Sequence, residues 1–225
     1  MSLVGERKAI AASVLIFFTF LFLLGAFSSP PIYTRMFFSL ASVYGLGFFS
    51  VVAGYFWARW YAIGVGLFGA LLAGMGIWQA GPEPIFLFVG GAHLAVMLTM
   101  MGQAMQGPFE GKPEWRARFH MDEHGVNRLG RSVVRAAMGL PIVLIYAFAP
   151  KQDSALILAT ALLAAGGFSG LVRLRSWGVL ALGGAALTAT AATFTGSLMF
   201  LPAALLLAGS VAPFVQPFAR ALRAR

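Results

Sequence analysis

Residues 9–28 read AIAASVLIFFTFLFLLGAFS, twenty positions without a charge directly behind Arg7 and Lys8. About twenty apolar residues are what a helix needs to cross the hydrocarbon of a bilayer. A secretory signal offers a related pattern, since basic residues precede an apolar run and Ala26-Phe27-Ser28 resembles a small-residue cleavage site. The run is read here as the first membrane helix, and the rest of the chain follows from it.

Sixty per cent of the residues are apolar, ten per cent are charged, and the mean hydropathy is +0.84. Soluble chains average about half apolar and a quarter charged, so water is not the main solvent. The expected fold class is an all-α polytopic transmembrane bundle with eight spans, near 9–28, 36–57, 61–79, 84–106, 133–149, 154–172, 177–195 and 197–218. The fifth span is the shortest and carries Pro141, with Arg135 read as its snorkelling flank. In domain terms, 1–106 holds the first four helices, 107–132 is a basic cytoplasmic loop, and 133–225 holds the last four helices and a basic tail.

The sixteen Lys and Arg residues divide unevenly across this arrangement. With the N-terminus in the cytoplasm, fourteen lie inside, and only Arg35 and Lys151 lie outside. Both termini are then cytoplasmic. The outer connections are short and carry turn chemistry, as in Ser28-Ser29-Pro30-Pro31 and Gly81-Pro82-Glu83-Pro84. Trp57, Trp60, Tyr61, Trp78 and Trp177 fall at span ends, where an amphipathic ring suits the headgroup level. A net charge of +9 would suggest nucleic acid in a soluble chain, but here the cations flank spans and face anionic lipid. The absence of cysteine excludes disulfides, thiolate ligands and a thiol nucleophile. The Ala, Gly and Arg usage with short loops points to a bacterial inner membrane.

The turns Gly54–Trp60 and Gly170–Trp177 each end one span on arginine and open the next with tryptophan. They suggest two four-helix halves which, after four crossings each, run parallel. Any short inner turn favours Arg and Trp, and that is the simpler reading. Gly66, Ala70 and Gly74 in the third span, and Ala181, Ala185 and Ala189 in the seventh, recur every four residues. Small residues at that spacing let helix backbones approach closely, so both helices are expected at the centre. The phenylalanine-rich first span is expected at the periphery, against lipid or a partner.

The loop 107–132 holds most of the soluble charge. Alternation of Trp115, Ala117, Phe119 and Met121 with polar neighbours, then Gly125, suggests a short amphipathic β-hairpin on the membrane surface; an amphipathic helix or irregular loop is the alternative. Lys112, Arg116, Arg118, Arg128 and Arg131 are its candidate contacts to a partner or to anionic headgroups. His120-Met121-Asp122-Glu123-His124 matches the H-x-x-E-H spacing that brings two imidazoles to zinc, but that chemistry needs a sustained helix and a third ligand, and Gly125 follows at once. Solvated turn residues are the plainer account of His120 and His124.

His93 follows Gly90-Gly91-Ala92 and is the only histidine expected within the bilayer. It is a candidate axial ligand for a single-histidine tetrapyrrole, against the plainer role of hydrogen bonding to a neighbouring helix or Thr99. Gly167-Phe168-Ser169-Gly170 has the surround of an intramembrane serine nucleophile, yet no histidine follows it to act as base, so helix packing is preferred. With Arg135 counted as a flank, no span carries Asp, Glu, Lys or Arg in its interior, which weakens ion-coupled transport. Thr188, Thr190, Thr193 and Thr195 cluster in the seventh span, where bonding to the helix's own carbonyls is the simple account.

The function expected from these residues is non-catalytic: an accessory or scaffold subunit of a larger bacterial membrane assembly, binding lipid and other membrane subunits or a second copy, and no nucleic acid. The alternative is a transporter for a small neutral or lipid-like substrate, and a membrane-embedded enzyme ranks third. No cofactor beyond lipid is expected.

Overall fold

A computed structural model describes residues 3–110, 123–149, 155–194 and 200–223. Among them no residue is in a strand, and eight long helices form. They are α1 (Val4–Ser28), α2 (Pro31–Ala53), α3 (Ala58–Ala80) and α4 (Pro84–Met100), then, after a short α5 (Gln106–Glu110), α6 (Glu123–Phe148), α7 (Ala155–Val172), α8 (Ser176–Phe194) and α9 (Leu201–Arg223). Six of these, α1, α2, α3, α6, α7 and α8, are long and apolar enough to cross a membrane, which makes the chain a multi-pass membrane protein. Leu201–Val215 of α9 is a shorter apolar helix, and α4 is 17 residues long.

The helix ends follow local chemistry. Proline occupies the first turn of α2 and of α4, where its missing N–H has no intrahelical acceptor to serve. The span start expected at 36 therefore moves to Pro31, and the one expected at 61 lies at Ala58. Gly54 closes α2 with φ 69°, a left-handed conformation that only glycine takes at little cost. Gly102, at φ 92°, breaks the chain after α4, and the segment Gln103–Glu110 leaves at 76° to it. The fourth span expected through 106 thus ends early and turns.

The hairpin expectation fails for its described part. Val126 to Leu129 belong to α6, because Val126, Leu129, Val133, Ala136, Ala137 and Leu140 are buried at helical spacing and continue one apolar face. The remainder of that expected hairpin, residues 111–122, lies outside the described residues.

Two compact units divide the chain, Met1–Trp115 and Arg116–Arg225. In the first, α1 packs on α2 and α4, and α3 packs on α4 and α2, so four helices close a ring. In the second, α6 packs on α7 and α9, and α8 packs on α7 and α9, which closes another ring of four. The two inner turns proposed as a repeat are built differently. The first uses left-handed Gly54 and buries Trp57 and Trp60, whereas the second uses Leu174 at φ 57° and leaves Trp177 about half exposed.

Candidate functional site

The polar centre of the first unit is His93. Its ring is 2 % exposed and lies 4.4 Å from the ring of Phe18 on α1. Its Nδ1 sits 2.7 Å from the carbonyl of Val89 one turn back, so Nδ1 carries the proton and donates. That leaves Nε2 as acceptor, and the Tyr44 hydroxyl on α2 donates to it across 2.6 Å. Both imidazole nitrogens are thereby engaged, and a metal or tetrapyrrole at Nε2 would have to displace Tyr44. The fourth wall is glycine: a Cβ added at Gly69 on α3 would lie 1.9 Å from His93 Cδ2, and one added at Gly66 would lie 2.9 Å from the His93 carbonyl. All four helices of the unit meet at this ring.

The close-packing stripe of α3 differs from the one expected. Gly66 packs on α4, but Gly74 has nothing within 4 Å of its Cβ position and Ala70 is half-buried. The small residues that admit α4 are Gly66, Gly69, Ala73 and Gly76, where a Cβ on Gly76 would meet the Phe86 ring at 2.5 Å and one on Gly90 would meet Ala73 at 3.2 Å. Spacing of three and four, not four alone, tracks a helix face. On α8 the buried face includes Ala185 and Ala189, with Ala181 half-buried beside it. The tightest contact there comes from glycines on both helices. A Cβ on Gly178 would lie 2.3 Å from the Leu171 nitrogen, and one on Gly170 would lie 2.6 Å from the Gly178 Cα. The glycines around Ser169 thus serve helix packing.

One end of the first unit collects Arg7, Lys8 and Arg59. Arg7 on α1 donates from Nε to the Thr99 carbonyl at 2.9 Å and from Nη2 to the carbonyls of Leu98 and Met101, which end α4 without a next turn to bond. Lys8 donates to the Val52 carbonyl at 3.0 Å, and its ammonium lies 5.9 Å from the Phe109 ring centroid. Arg59, in the first turn of α3, donates from Nε to Glu110 Oε1 at 2.6 Å, with both side chains under a tenth exposed. The break at Gly102 is what returns α5 to this end, burying Met105 and Phe109 and carrying Glu110 to Arg59.

In the second unit, Arg135 bonds to a neighbouring helix. It lies at the middle of α6, and its Nη1 donates to the Gly209 carbonyl of α9 at 2.7 Å. Pro213 follows Gly209 by four residues and has no N–H, so that carbonyl has lost its helical donor and Arg135 replaces it. The Ser132 hydroxyl donates to the next carbonyl, Ser210, at 2.5 Å. Between α7 and α8, the hydroxyls of Thr160 and Thr188 meet at 2.8 Å, and each also reaches a carbonyl of its own helix. Thr190 and Thr193 bond back to their own helix as well.

The loop candidates divide. His124 is exposed in the first turn of α6, and Arg128 and Arg131 lie one and two turns further along. Lys112, Arg116, Arg118 and His120 lie outside the described residues. Among the described residues no group of three His, Cys, Asp or Glu stands close enough to hold a metal. An open apolar groove of about 280 Å³ runs between α1 and α2, lined in part by Thr19, Ala41, Ser42, Gly45 and Phe49. Its Thr19 and Ser42 hydroxyls bond to their own helix carbonyls.

No protein-family model, curated protein or solved structure matches the chain. Its function is therefore read from its own residues. Tyr44, Gly69 and the Arg59–Glu110 pair were not singled out in the sequence, although a tyrosine and a lone charge bordering apolar runs are the usual marks of such partners. Pro213 four residues after Gly209 was a legible sign of a carbonyl in need of a donor.

Proposed function

We propose that the chain is a non-catalytic subunit of a larger bacterial inner-membrane assembly, crossing the membrane eight times with both termini in the cytoplasm. One observation carries this reading: the polar centre of the first unit is closed upon itself while a long apolar face is left open. His93 spends both nitrogens inside the first unit and Arg59 is paired with Glu110, whereas Phe17, Phe20, Leu24 and Phe27 stand exposed along α1. A side chain whose polar atoms are already matched has none to offer a substrate, and exposed aromatics on a span give a second helix area to pack on. The gathering of Arg7, Lys8 and Arg59 at one end of the unit, with Arg35 at the start of α2, supports the inward placement of that end. The bent α4 and α5, and α9, complete the count of eight.

Purification of the tagged full chain from its native membrane in mild detergent tests the proposal. Fixed partner subunits in constant ratio, together with reporter fusions that place both termini inside, are expected. A monodisperse, thermally robust chain with no partner overturns the subunit role, and termini on opposite faces overturn the eight spans. Permeation of a small neutral solute is the second reading, favoured by the Thr160–Thr188 hydroxyl pair between α7 and α8. Solute flux through vesicles of the purified chain, lost in Thr188→Val, would establish it.

A further inference from the structure

Three arginines form a row on α6. Arg128, Arg131 and Arg135 are spaced three and four residues apart and share one helix face, Arg131 exposed and the other two half-buried. The row runs into the membrane. The charge-free stretch from Ala136 to Phe148 is 13 residues long and as helix covers about 20 Å. The hydrocarbon is about 30 Å thick, so a spanning α6 draws Arg135, and behind it Arg131, below the headgroup boundary.

Adjacent like charges at this spacing repel, and each guanidinium has five N–H donors to satisfy. Arg128 and Arg131 donate from Nε only to carbonyls one turn back on their own helix, those of His124 and Asn127, at 3.2 and 3.3 Å. Arg135 spends Nη1 on Gly209, where the missing side chain lets its stem lie across α9: a Cβ there would be 3.2 Å from Arg135 Cδ. Among the described residues the one ion pair is Arg59–Glu110. Sixteen Lys and Arg against seven Asp and Glu also leave an excess that only external anions can neutralise. An anion that enters the membrane surface and matches planar guanidinium forks is a phosphate on a lipid.

We propose that Arg128, Arg131 and Arg135, in one row along α6 that ends where Arg135 meets α9, bind the phosphate of an anionic phospholipid headgroup. Arg135 is fixed in place by Gly209, and its remaining N–H groups, with those of Arg131, form the fork. The site is independent of any partner subunit, since it uses only the second unit and its place in the membrane.

Native mass spectrometry of the delipidated full chain tests this with phosphatidylglycerol, phosphatidylcholine and inorganic phosphate as separate probes. The wild-type chain is expected to retain phosphatidylglycerol over phosphatidylcholine. Arg128→Gln/Arg131→Gln is expected to lower that preference about thirtyfold, at roughly fivefold for each surface cation lost. Arg128→Lys/Arg131→Lys should keep most of the charge-driven part. Equal retention of the two lipids, an unchanged preference in the Gln variant, or equal binding of inorganic phosphate overturns the headgroup site. If the Gln variant fails to fold, wild-type chain at rising sodium chloride decides: the preference must fall with salt, and a salt-independent one overturns the proposal.

Discussion

A methyl group at Gly69 should unseat the polar centre of the first unit. In Gly69→Ala the new Cβ would stand 1.9 Å from His93 Cδ2 and 2.2 Å from Nε2, far inside van der Waals contact. The neighbour cannot yield cheaply, because the imidazole is held on one side by Val89 and on the other by Tyr44. Turning the ring away breaks both bonds and presses it toward Phe18, 4.4 Å off. Overpacking a closed core costs about 1–3 kcal/mol. The interhelical hydrogen bond adds roughly 0.6 kcal/mol, the average measured between membrane helices. Gly69→Ala is therefore expected to destabilise by about 2–4 kcal/mol, read as a lowered unfolding midpoint when dodecyl sulfate is titrated into the detergent-solubilised chain. His93→Ala alone loses the ring contacts and leaves Tyr44 without its acceptor. In the double variant the methyl of residue 69 occupies space the imidazole has vacated, so the combined loss should fall short of the sum by about 1 kcal/mol or more. Gly69→Ala with wild-type stability, or strict additivity in the pair, would refute this account of the site.

Tyr44→Phe removes only the hydroxyl and should cost about 0.6–1.7 kcal/mol in the same titration, with little further loss when combined with His93→Ala. Arg59→Gln or Glu110→Gln leaves one charge buried at a helix end and should cost about 3–5 kcal/mol, whereas Arg59→Met/Glu110→Leu should recover much of that loss. Gly178→Ala places a Cβ 2.3 Å from the Leu171 nitrogen, a backbone atom that cannot swing aside, and should cost at least about 1–3 kcal/mol. Gly74→Ala faces open space and should be neutral or stabilising by up to about 1 kcal/mol, since alanine is the better helix former; a comparable loss at Gly74 and Gly178 would contradict the packing described.

The membrane class and the helix positions were legible because they depend on local composition. A run such as 9–28 has one stable state in lipid, whatever its neighbours. Helix starts were displaced by a few residues where Pro31 could begin a turn earlier than the apolar run suggested, and the break at Gly102 was hidden because the apolar composition continues through Met105. The arginine-rich start of α6 was misread as loop and strand. Alternation over 115–121 carried more weight than the three-and-four spacing of Val126, Leu129 and Val133, which the buried face of α6 now makes plain. For the candidate site, His93 was visible as the one intramembrane histidine, but its partners were not. Tyr44 and Gly69 lie 49 and 24 positions away, and nothing local tells which helix a ring will face.

That last difficulty has a physical origin. In water, burying an apolar face is itself worth energy, and hydrophobic periodicity identifies the inner side of a helix. In lipid, Leu71 and Leu72 on the outside of α3 and Val65 and Phe68 on its inside are solvated about equally well, so apolar pattern ceases to discriminate. What remains to select neighbours is fit: glycine opposite a ring, as Gly69 opposite His93; glycine opposite glycine, as Gly170 opposite Gly178; and a donor opposite a carbonyl deprived of its own, as Arg135 opposite Gly209. Each is a relation between two distant residues in which neither member is informative alone. The substitutions that should matter most in this chain are accordingly among its smallest and its few polar side chains, while exchanges among Leu, Ile, Phe and Met on the outer faces of α1 and α3 should leave the fold intact.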